Sequence, residues 1–263
     1  NGGGAVIAQI SDIHMGLAKA PDAAPNLQRA LDMIAQRHVD AIVVSGDIGE
    51  RPEERQRAKQ IIDGGAHGVP VYYVAGNHDD SAHDTNSFTD IFGKDYYEAH
   101  VKGVTLVVLD SQLLGNYDDY NASSPQPLTA EGQSKSQGML AWLNDEAGRG
   151  HEARGGGERD DRGVVIAVQH VPLDRGDGFP GDSKPYWTTQ EPFRSREISL
   201  LHRLGVRDLL AGHLHHAAIY KADGFTIHLA PAIGYPIGGG STGFAIHTVK
   251  PNGDVDTQFV DLQ

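Results

Sequence analysis

Five short polar segments, widely spaced along the chain, carry side chains of the types that bind metal ions. They are Asp12-Ile13-His14, Gly46-Asp47, Gly76-Asn77-His78-Asp79, Gln169-His170 and Gly212-His213-Leu214-His215. Four of the five directly follow an apolar run, which places them where a strand ends, and open α/β sheets bind their ligands there. Oxygen and nitrogen donors without a thiolate suit Zn, Mn, Fe or Ni in a hydrolytic site. The segments therefore predict metal-assisted hydrolysis.

These segments, in this order, resemble the pattern D-x-H, G-D, G-N-H-[DE], a lone H and G-H-x-H of the calcineurin-like metallophosphoesterase superfamily. The match extends over about residues 5 to 250. The resemblance implies a first metal held by Asp12, His14 and His215, a second held by Asn77, His170 and His213, and Asp47 as the bridge. It thus implies two divalent or trivalent ions and no other cofactor. Independently, Asp12 and His14 are two residues apart, and in an extended segment such side chains point the same way.

His78 follows the predicted ligand Asn77, and we expect it to be the general acid. Ester hydrolysis needs a proton on the leaving alkoxide, and an imidazole that titrates near neutral pH can deliver it. The expected reaction is in-line displacement at phosphorus by a metal-bridging hydroxide, because metal coordination lowers the pKa of water towards about 7. Because the nucleophile is this hydroxide, the expected mechanism has no covalent enzyme intermediate.

A further resemblance lies in the segment that begins at Gly46 and ends at Pro52. Serine/threonine phosphoprotein phosphatases of the same superfamily have G-D-x-V-D-R-G here, which implies that Glu50 orients His78 and that Arg51 binds phosphate. Glu is longer than the Asp of that pattern, and Pro replaces a Gly, so the loop is free to turn differently. The alternative is an exposed ion pair of Glu50 and Arg51 at the start of a helix.

Several other residues near the motifs have weaker assignments. Asp79 is expected to cap or orient its loop, and Asp80 and His83 are candidates for substrate contact. The other nine of the 14 histidines match no motif position and are expected to be structural or on the surface.

The elements that must position these residues are visible as alternating patterns. Short apolar runs predict strands at 5–10, 41–45, 71–75, 104–109, 164–168, 206–211, 225–230 and 244–249. Amphipathic spacing predicts helices around 27–34, 58–62, 139–143 and 200–204. Strand and helix alternate in the first half, which predicts parallel pairing. The resemblance sharpens this α/β class to two stacked mixed β-sheets flanked by helices, a four-layer α/β/β/α sandwich with the metals at a sheet edge.

Three stretches are predicted to be loops. Residues 111–135 form a long polar connection, and residues 148–163 read as a solvated insertion. Residues 173–195 contain Tyr186, Trp187 and Phe193, which form either a wall over the substrate or a satellite hydrophobic cluster.

Composition excludes some partners and leaves the compartment open. The 263 residues are expected to form a single metallophosphoesterase domain, residues 1–263, and the net charge of −13 argues against nucleic acid as a partner. No apolar run approaches the roughly 20 residues that span a bilayer. The absence of such a run predicts a soluble protein. The lack of Cys does not identify the compartment, and the start without Met indicates an engineered or processed terminus, so the protein is expected to be cytoplasmic or exported after processing. Oligomeric state is open.

The expected function is metal-dependent hydrolysis of phosphate esters, with monoesters favoured and a phosphorylated small molecule or phosphoprotein as substrate. Residues 200–247 resemble the small calcineurin-like phosphoprotein phosphatases, through Gly212–His215, Ala232-Ile233-Gly234 and Gly243-Phe244. The alternatives are a phosphodiesterase of the cyclic-nucleotide or glycerophosphodiester type and a non-catalytic metal-binding scaffold. The scaffold is disfavoured because all the ligand positions and His78 are filled.

Overall fold

The computed structural model describes residues 4–81, 84, 86–155 and 163–262, and the backbone alone for 150–155. Its strands are β1 (Ala5–Ile10), β2 (Ala41–Ser45), β3 (Val71–Val74), β4 (Tyr97–Val101), β5 (Val104–Val108), β6 (Val164–Val168), β7 (Asp208–Ala211), β8 (Ala218–Ala222), β9 (Phe225–Leu229), β10 (Gly243–Val249) and β11 (Val255–Asp261). Its helices are α1 (Ala23–Ala35), α2 (Pro52–Gly65), α3 (Thr89–Phe92), α4 (Ala130–Gly155) and α5 (Phe193–Leu204), with short 3₁₀ turns at Ser111–Leu113 and Pro185–Trp187.

The strands form two mixed sheets. The first has the order β11-β10-β1-β2-β3 and the second the order β4-β5-β6-β7-β9-β8. As the alternating pattern predicts, β1, β2 and β3 pair in parallel. In the second sheet β5, β6, β7 and β9 are also parallel neighbours. Parallel strands present their carboxyl ends at one edge, so each sheet can supply several ligands to the same place.

Three apolar layers hold the four structural layers together. Between the sheets, short and β-branched side chains of both pack face to face, among them Ile7, Val43, Leu106 and Ile166. The outer face of the first sheet packs against the apolar side of α1 and α2, and that of the second sheet packs against α4 and α5. Because both faces of each sheet are covered, the central strands are apolar on both sides, which is why they stand out in the sequence. The predicted α/β/β/α sandwich is confirmed.

All eight predicted strands are present to within two residues, and three others, β4, β8 and β11, were not predicted. Two of the predicted loops need correction. Residues 130–135 are the first turns of α4, and α4 continues to Gly155, so residues 148–155 are helical as well. The rest of the second predicted loop, up to residue 162, lies outside the described residues. Within the part of the chain that is described, no helix is long and apolar enough to cross a membrane.

Candidate metal centre

The predicted metal ligands lie on loops at the carboxyl ends of strands from both sheets. Asp12 and His14 follow β1, Asp47 follows β2, Asn77 follows β3, His170 follows β6, and His213 and His215 follow β7. The acidic and imidazole members of this set are buried. The first sheet therefore supplies one half of the centre and the second sheet the other.

Two groups of donor atoms meet at a common carboxylate. One group is Asp12, His14, Asp47 and His215, and the other is Asp47, His170 and His213; within each group all ligand atoms lie within 4.8 Å of one another. These are the acidic and imidazole members of the two sets that the family resemblance implies. Asp47 belongs to both groups, so its carboxylate is placed to contact two ions.

Asp47 uses its two oxygens differently. Oδ2 lies 3.3 Å from His14 Nε2 and 3.2 Å from His170 Nε2, one from each group. Oδ1 accepts a hydrogen bond from the backbone N–H of His78 at 2.9 Å. A single oxygen of Asp47 therefore faces both groups.

In the second group, hydrogen bonds fix which ring nitrogen faces the centre. His170 Nδ1 donates to the backbone carbonyl of Ser45 at 2.7 Å, and His213 Nε2 donates to that of Tyr186 at 2.8 Å. A carbonyl only accepts, so the proton of each neutral imidazole is held there and the lone pair of the other nitrogen is free. His170 Nε2, which faces Asp47, is buried and has no hydrogen-bond partner.

The first group has the same arrangement. His14 Nδ1 donates to Glu50 Oε1 at 2.9 Å, and His215 Nδ1 donates to the backbone carbonyl of Tyr235 at 2.7 Å. The two Nε2 atoms, each with its lone pair, then face one another at 3.0 Å, with Asp12 Oδ1 3.2 Å from His215 Nε2. Lone pairs and carboxylate oxygens at this separation repel unless a cation lies between them.

The donor set fits two metal ions on these grounds and on one more. Asn77 Oδ1 is buried without a hydrogen-bond partner, as expected of an amide oxygen that a cation would take. Imidazole, carboxylate and amide donors without thiolate suit Mn, Fe, Zn or Ni better than Ca or an iron–sulfur cluster.

The electrostatics of the centre favour positive charge. Burial lowers the pKa of His170, but the negative charges of Asp47 and Asp12 outweigh burial and raise it to about 9. Burial likewise opposes ionisation of Asp47, but His170 and His78 hold the pKa of that carboxyl well below its usual range. The carboxylates are therefore ionised at neutral pH, and a cation of some kind is drawn to the position that they share.

The backbone at the ligands differs from the predicted extended form. Asp12, His14 and Asp47 each have φ of 52°, and His213 and His215 have φ of 69° and 48°. This left-handed conformation is uncommon for residues other than glycine and is concentrated at functional sites. Asp12 and His14 do converge, but through these turns and not through the alternation of an extended strand.

The glycines of three motifs allow close approach. A Cβ at Gly46 would lie 2.5 Å from the ring of His170, one at Gly76 would lie 2.1 Å from the backbone nitrogen of Asp47, and one at Gly212 would lie 1.9 Å from Ser11 Oγ. Any side chain at these positions would push apart the loops that carry the predicted ligands.

His78 and Glu50 lie next to the first group. Glu50 accepts from His78 Nδ1 at 2.8 Å through Oε2, while its other oxygen holds His14. Burial lowers the pKa of His78, but the charges of Asp47 and Glu50 outweigh burial and raise it to about 9. The His78 side chain is 30% exposed, so its ring can reach both the centre and solvent.

Arg51 is not in the centre, and its predicted role needs correction. Its side chain is 61% exposed and pairs with Glu53 at 2.9 Å and Glu54 at 3.2 Å. It precedes Pro52, the first residue of α2, and Pro fixes the backbone so that the chain enters the helix and directs Arg51 outward. The surface ion pair at the helix start is thus what the structure contains, although the acid involved is not Glu50.

The loop after Asn77 also contains Asp79, Asp80 and His83, for which weaker roles were predicted. Asp79 is buried and accepts backbone N–H bonds from Ile48, Gly49 and Gly76, so it holds the loops after β2 and β3 together. Asp80 is also buried and does not line the cavity over the centre. His83 lies outside the described residues.

A cavity of about 360 Å³ opens over the centre. Its walls include Tyr120, Tyr186, Trp187 and Tyr235, and the basic side chain of Lys19 also lines it. Tyr186 and Trp187 thus form the wall that the sequence offered as one alternative. Trp187 also belongs to the outer apolar core, whereas Phe193 starts α5 and packs only there.

Sequence reasoning missed Lys19, Tyr120 and Tyr235. Lys19 lies five residues beyond His14 on the loop after β1, and no motif marks it. Tyr120 lies in the long loop before α4, and Tyr235 lies beyond the last motif. The one available signal for Lys19 was its positive charge near the first motif, and that signal does not distinguish it from a surface lysine.

The chain is similar to several known proteins. The profile of a family described as calcineurin-like phosphoesterase matches residues 5–217. The mouse protein named serine/threonine-protein phosphatase CPPED1 is 26% identical over 201 residues, and its human counterpart is 23% identical over 192 residues. These matches cover 75% and 72% of this chain but only 57% and 55% of the relatives, so the chain spans little more than half their length.

Solved structures show the same fold. A dimetal phosphatase from Danio rerio superposes with a TM-score of 0.62 at 16% identity, covering 99% of this chain and 100% of that one. The phosphopantetheinyl hydrolase of Mycobacterium tuberculosis superposes with a TM-score of 0.56 at 16% identity, covering 89% and 92%.

Proposed function

The chain belongs to the calcineurin-like phosphoesterase family of dinuclear metal-dependent hydrolases that act on phosphoric esters, and we propose that it is a phosphomonoesterase. The substrate class that we favour is a phosphorylated protein side chain or small molecule. One observation carries the proposal: four imidazole lone pairs converge on the carboxylate of Asp47, and His78, which lies outside the two proposed ligand sets, is next to them. The names of the curated relatives support the phosphoprotein class. The apolar layer shared by both sheets supports our proposal of a single domain.

We assign Asp12, His14 and His215 to one metal ion, Asn77, His170 and His213 to the other, and Asp47 to both. When bound, two such cations neutralise charge on the phosphoryl oxygens and lower the pKa of the attacking water. The protein's contribution is to hold the lone pairs in place through carbonyl and carboxylate hydrogen bonds, so that little reorganisation is needed.

His78 is assigned as the proton donor. Its Nδ1 is held by Glu50, which leaves Nε2 to face the cavity that His78 lines. A proton on Nε2 can pass to the leaving alkoxide, and the negative charge of Glu50 stabilises the imidazolium before transfer. Glu50 is therefore a positioning residue for His78, and it also holds His14. Lys19 is assigned as the cation that attracts the anionic substrate to the cavity.

The test is turnover of a panel of phosphate esters after removal of metal and reconstitution with Mn, Fe, Zn or Ni. The panel contains a phosphoserine peptide, a nitrophenyl phosphate, a bis-nitrophenyl phosphate and a cyclic nucleotide. We expect the monoesters to be preferred in kcat/KM. Preference for the bis ester or the cyclic nucleotide would assign the protein as a phosphodiesterase instead. Absence of turnover on every ester, with two metals bound, would indicate the scaffold alternative.

A further inference from the structure

Tyr186 contacts two of the residues assigned to the second metal. Its hydroxyl accepts a hydrogen bond from Asn77 Nδ2 at 2.9 Å, and its backbone carbonyl accepts one from His213 Nε2 at 2.8 Å. Tyr186 lies in the turn Pro185–Trp187, in the segment that follows His170. One residue outside every motif is therefore bonded to two ligands that come from different sheets.

In the bond to Asn77, the phenol holds the Nδ2 end of the amide and leaves the Oδ1 end for the centre. An asparagine amide carries an acceptor oxygen and two N–H donors, and rotation about its last bond exchanges them. A cation binds the oxygen and is repelled by the NH₂ group. With Nδ2 held by the phenol, Oδ1 is directed inward, where it is buried without another partner.

The turn that carries Tyr186 is itself held in place. Trp187 is buried, and its indole N–H donates to Asp182 at 2.8 Å. Gln190 donates to the carbonyl of Pro185 at 3.2 Å. Because its neighbours are fixed, the phenol does not have to be ordered at the moment when a metal binds.

We propose that Tyr186 is the positioning residue of the second metal, through the orientation of the Asn77 amide. The inference rests on the proposed function, because that assigns Asn77 as a ligand. It is specific to one metal: His14 and His215 of the first group are held by Glu50 and by Tyr235, and neither contact involves Tyr186.

The experiment is titration of the metal-depleted protein with Mn²⁺, followed by calorimetry and by electron paramagnetic resonance of free and bound ion. We expect the wild type to bind two ions. Tyr186→Phe removes only the hydroxyl, and we expect it to weaken one of the two by roughly 10–100-fold while leaving the other unchanged. The matched control is Tyr120→Phe, which removes a hydroxyl from the same wall, 5.2 Å away ring to ring, and should leave both affinities unchanged.

A double-mutant cycle separates positioning from general loosening of the loop. If the hydroxyl acts through the amide, Tyr186→Phe should have no further effect on Mn²⁺ binding in the Asn77→Ala background. Equal weakening of both ions, an undiminished effect in that background, or unchanged affinities in Tyr186→Phe would each overturn the inference. A wild type that binds fewer than two ions would instead overturn the proposed function.

Discussion

At the scale of single residues, the centre depends on where each imidazole proton is held. Ser45, Tyr186 and Tyr235 accept those protons through backbone carbonyls, and Glu50 accepts one through its carboxylate. The residue type supplies a ligand atom, and the acceptor on the far side of the ring decides which nitrogen becomes that atom. Glu50 differs from the carbonyls because it also holds His78, so in the proposed mechanism it connects metal binding with proton transfer.

His78→Ala should separate proton donation from metal binding. His78 is outside the two proposed ligand sets, so both metals should remain. General acid catalysis typically contributes about 10²–10⁴-fold, so esters with alkyl leaving groups should lose that much in kcat, and nitrophenyl esters much less. Measurement of kcat for both ester types, with metal content, checks this. Equal losses for both types with both metals bound would show that the proton comes from elsewhere.

Glu50→Gln is the informative comparison for that variant. Because Glu50 also holds His14, we expect Glu50→Gln to weaken metal binding as well as proton donation, whereas His78→Ala should weaken only proton donation.

Asp47→Asn should remove the dinuclear centre. The amide keeps the shape of the side chain but lacks the negative charge of Oδ2, which faces both groups of donor atoms. Two cations would then repel each other without compensation. We expect loss of at least one metal and of turnover, measured by elemental analysis and ester hydrolysis. Retention of two metals and most of the activity would contradict the bridging role.

At the scale of elements, the site depends on how closely the ends of the strands approach one another. The loop after β7 packs on the loop after β1, where Gly212 lies against Ser11 and Asp12. The two loops can approach this closely because Gly212 has no side chain. A methyl group would act directly on a ligand, because Asp12 Oδ2 lies 2.7 Å from the position of the added carbon.

Gly212→Ala should therefore destabilise the fold and the first metal together. Overpacking of this kind typically costs about 1–3 kcal/mol in the free energy of unfolding. Gly64→Ala is the control: it lies in α2 with nothing within 4 Å of the added carbon, and Ala should stabilise that helix by about 0.5–1 kcal/mol. Urea unfolding and Mn²⁺ titration of both variants test the contrast. A Gly212→Ala protein as stable as the wild type would show that the loops can separate without cost.

At the scale of the whole molecule, a largely buried chain of hydrogen-bonded polar side chains joins the two sheets. Consecutive hydrogen bonds connect Asp208, His228, Thr257, His247, Gln9 and Ser45. Gln9 also donates to the carbonyl of Ala211 in the second sheet at 3.0 Å. His228 and His247, expected to be structural or on the surface, are buried members of this chain.

Because His247 is buried in this series of hydrogen bonds, we expect the fold to be sensitive to acid. Burial, with His228 nearby, lowers the pKa of His247 to about 3. The unfolded chain takes up a proton near the ordinary histidine pKa of about 6.5, so the stability from neutral His247 is present above that pH and is lost as the pH falls towards 3. By about pH 5 the loss amounts to about 2 kcal/mol.

His247→Leu should therefore be less stable than the wild type near pH 7 but lose about 2 kcal/mol less between about pH 7 and pH 5. Urea unfolding with EDTA at the two pH values measures this difference, since the site histidines titrate equally in both proteins. The same loss in the two proteins would show that His247 takes up its proton without unfolding.

The types of the candidate ligands, their order and the central strands could all be predicted from the sequence. Asp, Asn and His at fixed places after apolar runs specify the donor atoms, and strands buried on both faces are continuous apolar segments. The three strands that were not predicted, β4, β8 and β11, are all sheet edges. Alternate residues of β8 and β11 are exposed, so no apolar run marks these two strands.

The orientation of the donor atoms and the basic side chain that lines the cavity are evident only from the folded structure. The acceptors at Ser45, Tyr186 and Tyr235 are backbone carbonyls, and a carbonyl is present at every residue, so no side-chain type identifies them. Arg51 matched a motif position yet points to solvent, while Lys19 matched none and lines the cavity. The reason is physical: the direction of a long side chain depends on the backbone that carries it and on its neighbours in space, which residue spacing alone does not specify.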